Sequence, residues 1–159
     1  MRDIRKWLPA SEPKQTVPES GEARHGVVVL AWDDAVAGAR EPGDGQNVVY
    51  HEFAHQLDFE HHLTSDAHNL ADLMEGAMTP VVADPEMWQR VWKASYERFC
   101  DRLDRGQPVV LDRYAATDAA EFFAVATEVF FEQPRALRSD DPNLYEQLRG
   151  FYRQDPAGR

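Results

Sequence analysis

The chain has 159 residues, 43% of them hydrophobic and 28% charged, which is typical of one folded domain and not of a disordered chain. Its formal net charge of -11 disfavours binding to nucleic-acid phosphates or anionic lipid headgroups. Cys100 is the single cysteine, so no internal disulfide can form, and no apolar run reaches the about 18 residues of a membrane-spanning helix. We expect a cytoplasmic protein without a nucleic-acid or membrane partner.

The first part of the chain predicts one irregular segment and one strand. Residues 1–25 carry several prolines among polar side chains and are expected to form an irregular N-terminal arm, with one domain covering residues 26–159. The β-branched run from Val27 to Trp32, closed by two aspartates, predicts a buried strand. Residues 38–45 contain Pro42 and three glycines and are expected to form a loop.

A helix is predicted after Asn47, whose side chain is suited to cap a helix start. Val49, Phe53 and Leu57 then follow at four-residue intervals, which indicates an apolar face. Between residues 61 and 83 the pattern is lost, and we expect a long loop.

Three further helices are predicted in the second half of the chain. One begins at Asp84-Pro85, a second runs from about Asp118 to Glu132 and is ended by Pro134, and a third covers about residues 143–152. With one clear strand and several helices, the predicted fold class is α+β, mostly helical.

The helix after Asn47 carries the pattern H-E-x-x-H. His51 and His55 lie one turn apart, so both imidazoles project from one face and can reach one zinc ion at about 2.0–2.1 Å. Glu52 is rotated by about 100° and is suited to take a proton from a zinc-bound water. Chance alone gives such a motif in about one to two per cent of chains of this composition, which favours zinc over solvated histidines.

A catalytic zinc usually has a third protein ligand, and the residues leave the choice open. His61 would complete a metzincin pattern, but Asp58 replaces the glycine that turns the chain there. The alternative is the acidic face of the helix that carries Glu121, Glu128 and Glu132. From spacing alone Glu121 is equally a ligand or a capping residue paired with the helix start. Glu128 is equally a residue that orients a ligand or a solvated acid.

The sequence resembles the Mlc titration factor A family of zinc-dependent peptidases from about residue 26 onward. The specific part is H-E-F-A-H-Q-L-D at residues 51–58 joined to Y-A-A-T-D-A-A-E-F-F-A-V at residues 114–125, supported by similar stretches at residues 28–33, 38–40, 44–50 and 151–156. The resemblance implies a zincin-like catalytic domain with a small sheet. It implies Glu121 as the third zinc ligand and Tyr114 as a catalytic tyrosine.

The resemblance also implies a function and a partner. Such proteins are cytoplasmic gluzincin-like peptidases with aminopeptidase-like activity on peptide or protein substrates, and the founding member interacts with the glucose repressor Mlc. Family members carry a helical region before the strand, and we expect this chain to lack it. Two alternatives stay open: a catalytically weak zinc-containing module that binds a transcriptional regulator, and a metzincin-like endopeptidase that uses His61.

Overall fold

The computed structural model describes residues 21–24, 27–61, 63–64 and 82–158. These residues form six α-helices and one antiparallel pair of short strands, so the prediction of a mostly helical chain is confirmed. The elements are β1 (Gly21–Arg24), β2 (Val27–Leu30), α1 (Trp32–Arg40), α2 (Val48–His61), α3 (Pro85–Asp104), α4 (Ala119–Glu132), α5 (Pro134–Asp140) and α6 (Pro142–Tyr152). Among them, no helix has the length and apolar character needed to cross a membrane.

The N-terminal elements differ from the prediction. Residues 21–24, expected in the irregular arm, form β1, because their backbone pairs with β2 in a register that sets Gly21 opposite Leu30. The predicted strand ends at Leu30, and Trp32 begins α1, where two aspartates in the first turn favour a helix through its dipole. Residues 1–20 and 25 of the arm, and residues 62 and 65–81 of the predicted loop, lie outside the described residues.

The predicted helix starts are confirmed by their caps. Side-chain oxygens accept a backbone N–H two or three residues later at Asn47, Asp84, Asp118 and Asp141. Pro134 ends α4 as predicted, and it also begins α5, because proline at the first helical position sacrifices no hydrogen bond.

Helix α4 is the centre of the core. Its residues from Phe122 to Phe130 are all buried, and the large side chains of α3 and α6 pack around them. Trp88 is 1% exposed, its ring lies 5.0 Å from that of Trp92, and its indole N–H donates to the carbonyl of Leu63 at 3.0 Å. This anchors the segment after α2 to α3.

Helix α2 lies against α4, but its buried residues are not those of the apolar face predicted from four-residue spacing. Its buried residues are Glu52, Ala54 and Gln56, whereas Phe53, on the predicted apolar face, is 52% exposed. The α2 side chains that meet the acidic face of α4 are His51 and His55, which contact Glu121 and Glu128. This arrangement brings the motif of α2 and the glutamates of α4 together.

Candidate metal centre

The side chains of His51 and His55 on α2 meet Glu121 on α4. The two Nε2 atoms are 3.1 Å apart, and Glu121 Oε2 lies 3.2 Å from Nε2 of His51 and 3.5 Å from Nε2 of His55. All three residues are partly buried, and they form the one group of possible metal ligands found among the residues with assigned positions. Three donor atoms from two helices therefore form a nearly equilateral triangle.

The size of this triangle fits a tetrahedral metal ion. Ligands about 2.0–2.1 Å from one ion in tetrahedral geometry are separated from each other by about 3.3–3.4 Å. The three measured separations, 3.1, 3.2 and 3.5 Å, scatter around this value. Two imidazoles and one carboxylate are also a donor set that zinc accepts, with one position left open. The residues present therefore fit the ion that the motif implies.

The electrostatics of the triangle favour a cation. Glu121 Oε2 is buried and makes no well-directed hydrogen bond. Burial would lower the pKa of His51, but its contacts with Glu121 and Glu128 outweigh this and raise the pKa to about 10. Burial would likewise raise the pKa of Glu121, but His51 and His55 lower it to about 2. The carboxylates thus favour positive charge at His51, and a metal ion at the triangle would supply such a charge.

Glu121 is also part of the start of α4. Its backbone N–H donates to the Asp118 carboxylate at 3.0 Å, while its own carboxylate faces the two histidines. A full capping box would need that carboxylate to reach back to the helix start. Asp118 is therefore the capping residue of α4, and the side chain of Glu121 lies at the triangle.

Glu128 lies two turns further along α4 and contacts the other side of the His51 ring. One of its carboxylate oxygens is 2.8 Å from His51 Nδ1, and the other accepts the backbone N–H of Asn47. Its exposure is 7%, so this carboxylate is removed from water. Sequence reasoning placed Glu128 on the correct face but left its role open.

Glu132, another turn along α4, holds the loop before α2. Its carboxylate accepts the backbone N–H of Gly43 and, at 3.0 Å, the side-chain amide of Asn47. Gly43 has a φ of 93°, a left-handed conformation that favours glycine. Sequence reasoning missed this contact, although the spacing of Glu132 from Glu128 on the same face was the available signal.

Two predicted catalytic side chains lie near the triangle. Glu52 follows His51 on α2 and is 6% exposed. Tyr114 lies in the short 3-10 turn Arg113–Ala116, which Asp112 caps by accepting the Tyr114 N–H at 2.8 Å. The Tyr114 ring centre is 6.2 Å from that of His51, and burial, together with Glu121, raises the pKa of Tyr114. The tyrosine is nevertheless 53% exposed and can meet a ligand from solvent.

His61 does not join the triangle. Helix α2 continues through His61, six residues beyond His55 or about 9 Å along the helix axis. The chain does not reverse there, as expected without a glycine at Asp58. Asp58 instead accepts two hydrogen bonds from Thr64, each 2.8 Å long, which close the turn after α2.

Comparisons with known proteins place the chain in a family. The sequence profile described as glucose-regulated metallo-peptidase M90 matches residues 9–153. The chain is 36% identical over 152 residues to an uncharacterised protein of Synechocystis, which covers 91% of this chain and 50% of that protein. It is 32% identical over 148 residues to Mlc titration factor A of Salmonella agona and of Serratia proteamaculans, with 52% of each relative covered and 91% and 90% of this chain. The chain thus spans about half the length of these relatives. Because the profile covers most of its residues, the chain belongs to the M90 family of metallopeptidases.

Proposed function

We propose that this protein is a zinc-dependent peptidase with a zincin-like fold and aminopeptidase-like action. The observation that carries the proposal is the triangle of His51, His55 and Glu121, whose edges of 3.1 to 3.5 Å match one face of a zinc tetrahedron. Membership of a metallopeptidase family supports a metal ion at this triangle. The proposal extends this to zinc and to peptide hydrolysis.

Zinc, when bound, supplies a Lewis acid that makes a water molecule more acidic and polarises the scissile carbonyl. His51, His55 and Glu121 would hold the ion and leave one side of the triangle open to solvent and substrate. Glu121 contributes one negative charge, so the ion together with its three ligands would keep one positive charge.

Glu52 is the proposed general base. It belongs to the same helix as both histidines, so a rigid element fixes its carboxylate relative to them. In the proposed reaction Glu52 accepts the proton of the attacking water and delivers it to the leaving amine, so one carboxylate serves both steps.

Tyr114 is the proposed donor to the oxyanion. The pKa of Tyr114 lies above its ordinary value of 10.0, so the hydroxyl is protonated at neutral pH and can donate a hydrogen bond to the tetrahedral centre. Its exposed ring stands beside His51, on a turn that Asp112 holds in place.

A regulatory partner belongs to the same proposal. Two of the relatives are named for titrating Mlc, and we extend this to a cytoplasmic role in which the chain binds a repressor of the Mlc type. The test is direct binding of the purified protein to such a repressor. Binding with zinc present but without any peptide hydrolysis would favour the alternative of a zinc-containing binding module.

The peptidase proposal is tested by the substitution Glu52→Gln. The amide keeps the shape of the side chain but cannot accept a proton, so hydrolysis of a peptide panel should fall by about 100- to 10,000-fold with zinc content unchanged. Glu60→Gln is the matched control, because Glu60 is exposed on the same helix and bonds to Gln56. Turnover by Glu52→Gln within a few-fold of the parent would exclude Glu52 as the base.

A further inference from the structure

Glu128 makes a bridge that the ligand triangle does not explain. One carboxylate oxygen contacts His51 Nδ1 at 2.8 Å, and the other accepts the N–H of Asn47, the residue that caps α2. The side chain is 10% exposed, so the carboxyl group is largely removed from water. A buried carboxylate on α4 therefore ties the ring of a candidate ligand to the start of the helix that carries it.

The bridge has a chemical consequence for His51. A neutral imidazole carries its single proton on one ring nitrogen, and the hydrogen bond made by that nitrogen selects the tautomer. With Glu128 as acceptor, Nδ1 would keep the proton when a metal ion is bound, and Nε2, which lies 3.1 Å from His55 Nε2 in the triangle, would offer its lone pair to the ion. The same contact restricts rotation of the His51 ring, because Glu128 holds the edge of the ring that faces away from the triangle.

We propose that Glu128 is a positioning residue that fixes the tautomer and orientation of His51 for metal binding. This inference rests on the proposed function, because it assigns a role at the same metal centre. Glu128 does not itself lie in the triangle of possible ligands. It acts through His51, and it couples the ring to the register between α2 and α4.

Glu132 provides a matched control. It lies four residues beyond Glu128 on α4 and binds the same segment, through the backbone of Gly43 and the side chain of Asn47. It therefore shares the role of holding the start of α2 in place. A loss of metal affinity caused by general loosening of this region should appear in Glu132→Ala, whereas a loss caused by release of the His51 ring should not.

The experiment compares parent, Glu128→Ala, Glu128→Gln and Glu132→Ala, each checked for folding by circular dichroism. Zinc affinity is measured by competition with a chromogenic chelator. Glu128→Ala should weaken zinc binding by about 10- to 100-fold, the range for loss of a partner behind a ligand histidine. Glu128→Gln should fall between Ala and the parent, because its carbonyl oxygen can still accept from Nδ1. Glu132→Ala should stay within about threefold of the parent.

A second measurement needs no variant. Nitrogen-15 NMR of the zinc-loaded parent should show His51 with a protonated Nδ1 and a metal-bound Nε2. The opposite tautomer, unchanged affinity in both Glu128 variants, or an equal loss in Glu132→Ala would overturn the inference while leaving the peptidase proposal intact. A parent protein that binds no zinc would overturn both, so the two failures are distinguishable.

Discussion

The substitution Glu121→Ala separates two roles that the sequence leaves equal. If Glu121 is a metal ligand, the substitution leaves two histidines at the triangle. If it serves only the start of α4, the metal stays and stability falls. The structure sharpens this contrast, because the capping bond uses the backbone N–H of Glu121, which alanine retains, and the oxygen of Asp118.

The expected magnitudes follow from these contacts. Loss of a partner behind a ligand costs about 10- to 100-fold in metal affinity, so loss of the ligand itself should exceed about 100-fold, or about 2.8 kcal/mol. Asp118→Ala should instead remove the cap, lower the free energy of unfolding by about 0.5–2 kcal/mol, and leave zinc bound. The two variants, three residues apart, are thus expected to show opposite defects.

The assay pairs chelator competition for zinc with urea unfolding of the metal-free proteins. Glu121→Ala should lose zinc and peptide hydrolysis together while its urea transition keeps the same cooperativity. Retention of zinc by Glu121→Ala, with a stability loss matching that of Asp118→Ala, would refute the ligand assignment.

The other predictions concern two tyrosines. Tyr114→Phe should keep zinc affinity within a few-fold but lower turnover by about 100- to 1,000-fold, the usual effect of removing an oxyanion donor; an unchanged rate would exclude that role. Burial raises the pKa of Tyr152 to about 12 from an ordinary value of 10.0. Its neutral hydroxyl therefore contributes stability in full below pH 10, and this contribution is lost as the pH rises towards 12. Tyr152→Phe should lose less stability than the parent between pH 9 and 11.5 in urea unfolding, and an identical loss would contradict this cause.

Local signals predicted much of the helical structure. Asp84-Pro85 and Asp118 each placed a helix start correctly, because a cap is formed by residues within one turn of each other. Strand β1 and helices α1 and α5 were missed. The residues of β1 carry no strand pattern of their own, and their conformation comes from backbone pairing with β2. Trp32 follows the valine run of β2 closely and was assigned to the strand, so the start of α1 was not recognised.

In the candidate site, too, local spacing predicted some features and tertiary contacts determined the others. His51 and His55 share a face of one helix, so spacing alone brought them together. For Glu121, a ligand role could not be distinguished from a capping role, because the spacing of residues on α4 does not show which turn of α2 lies opposite them. That register depends on tertiary contacts, among them the hydrogen bonds that Asn47 donates to Glu128 and Glu132. Only the packing of the two helices places one carboxylate oxygen near both imidazoles.

Anomalous diffraction at the zinc edge, from crystals of the zinc-loaded protein, tests the central claim most directly. The account predicts one peak about 2.0–2.1 Å from Nε2 of His51, Nε2 of His55 and a carboxylate oxygen of Glu121. A peak coordinated by His61 in place of Glu121, or no peak between α2 and α4, would contradict it.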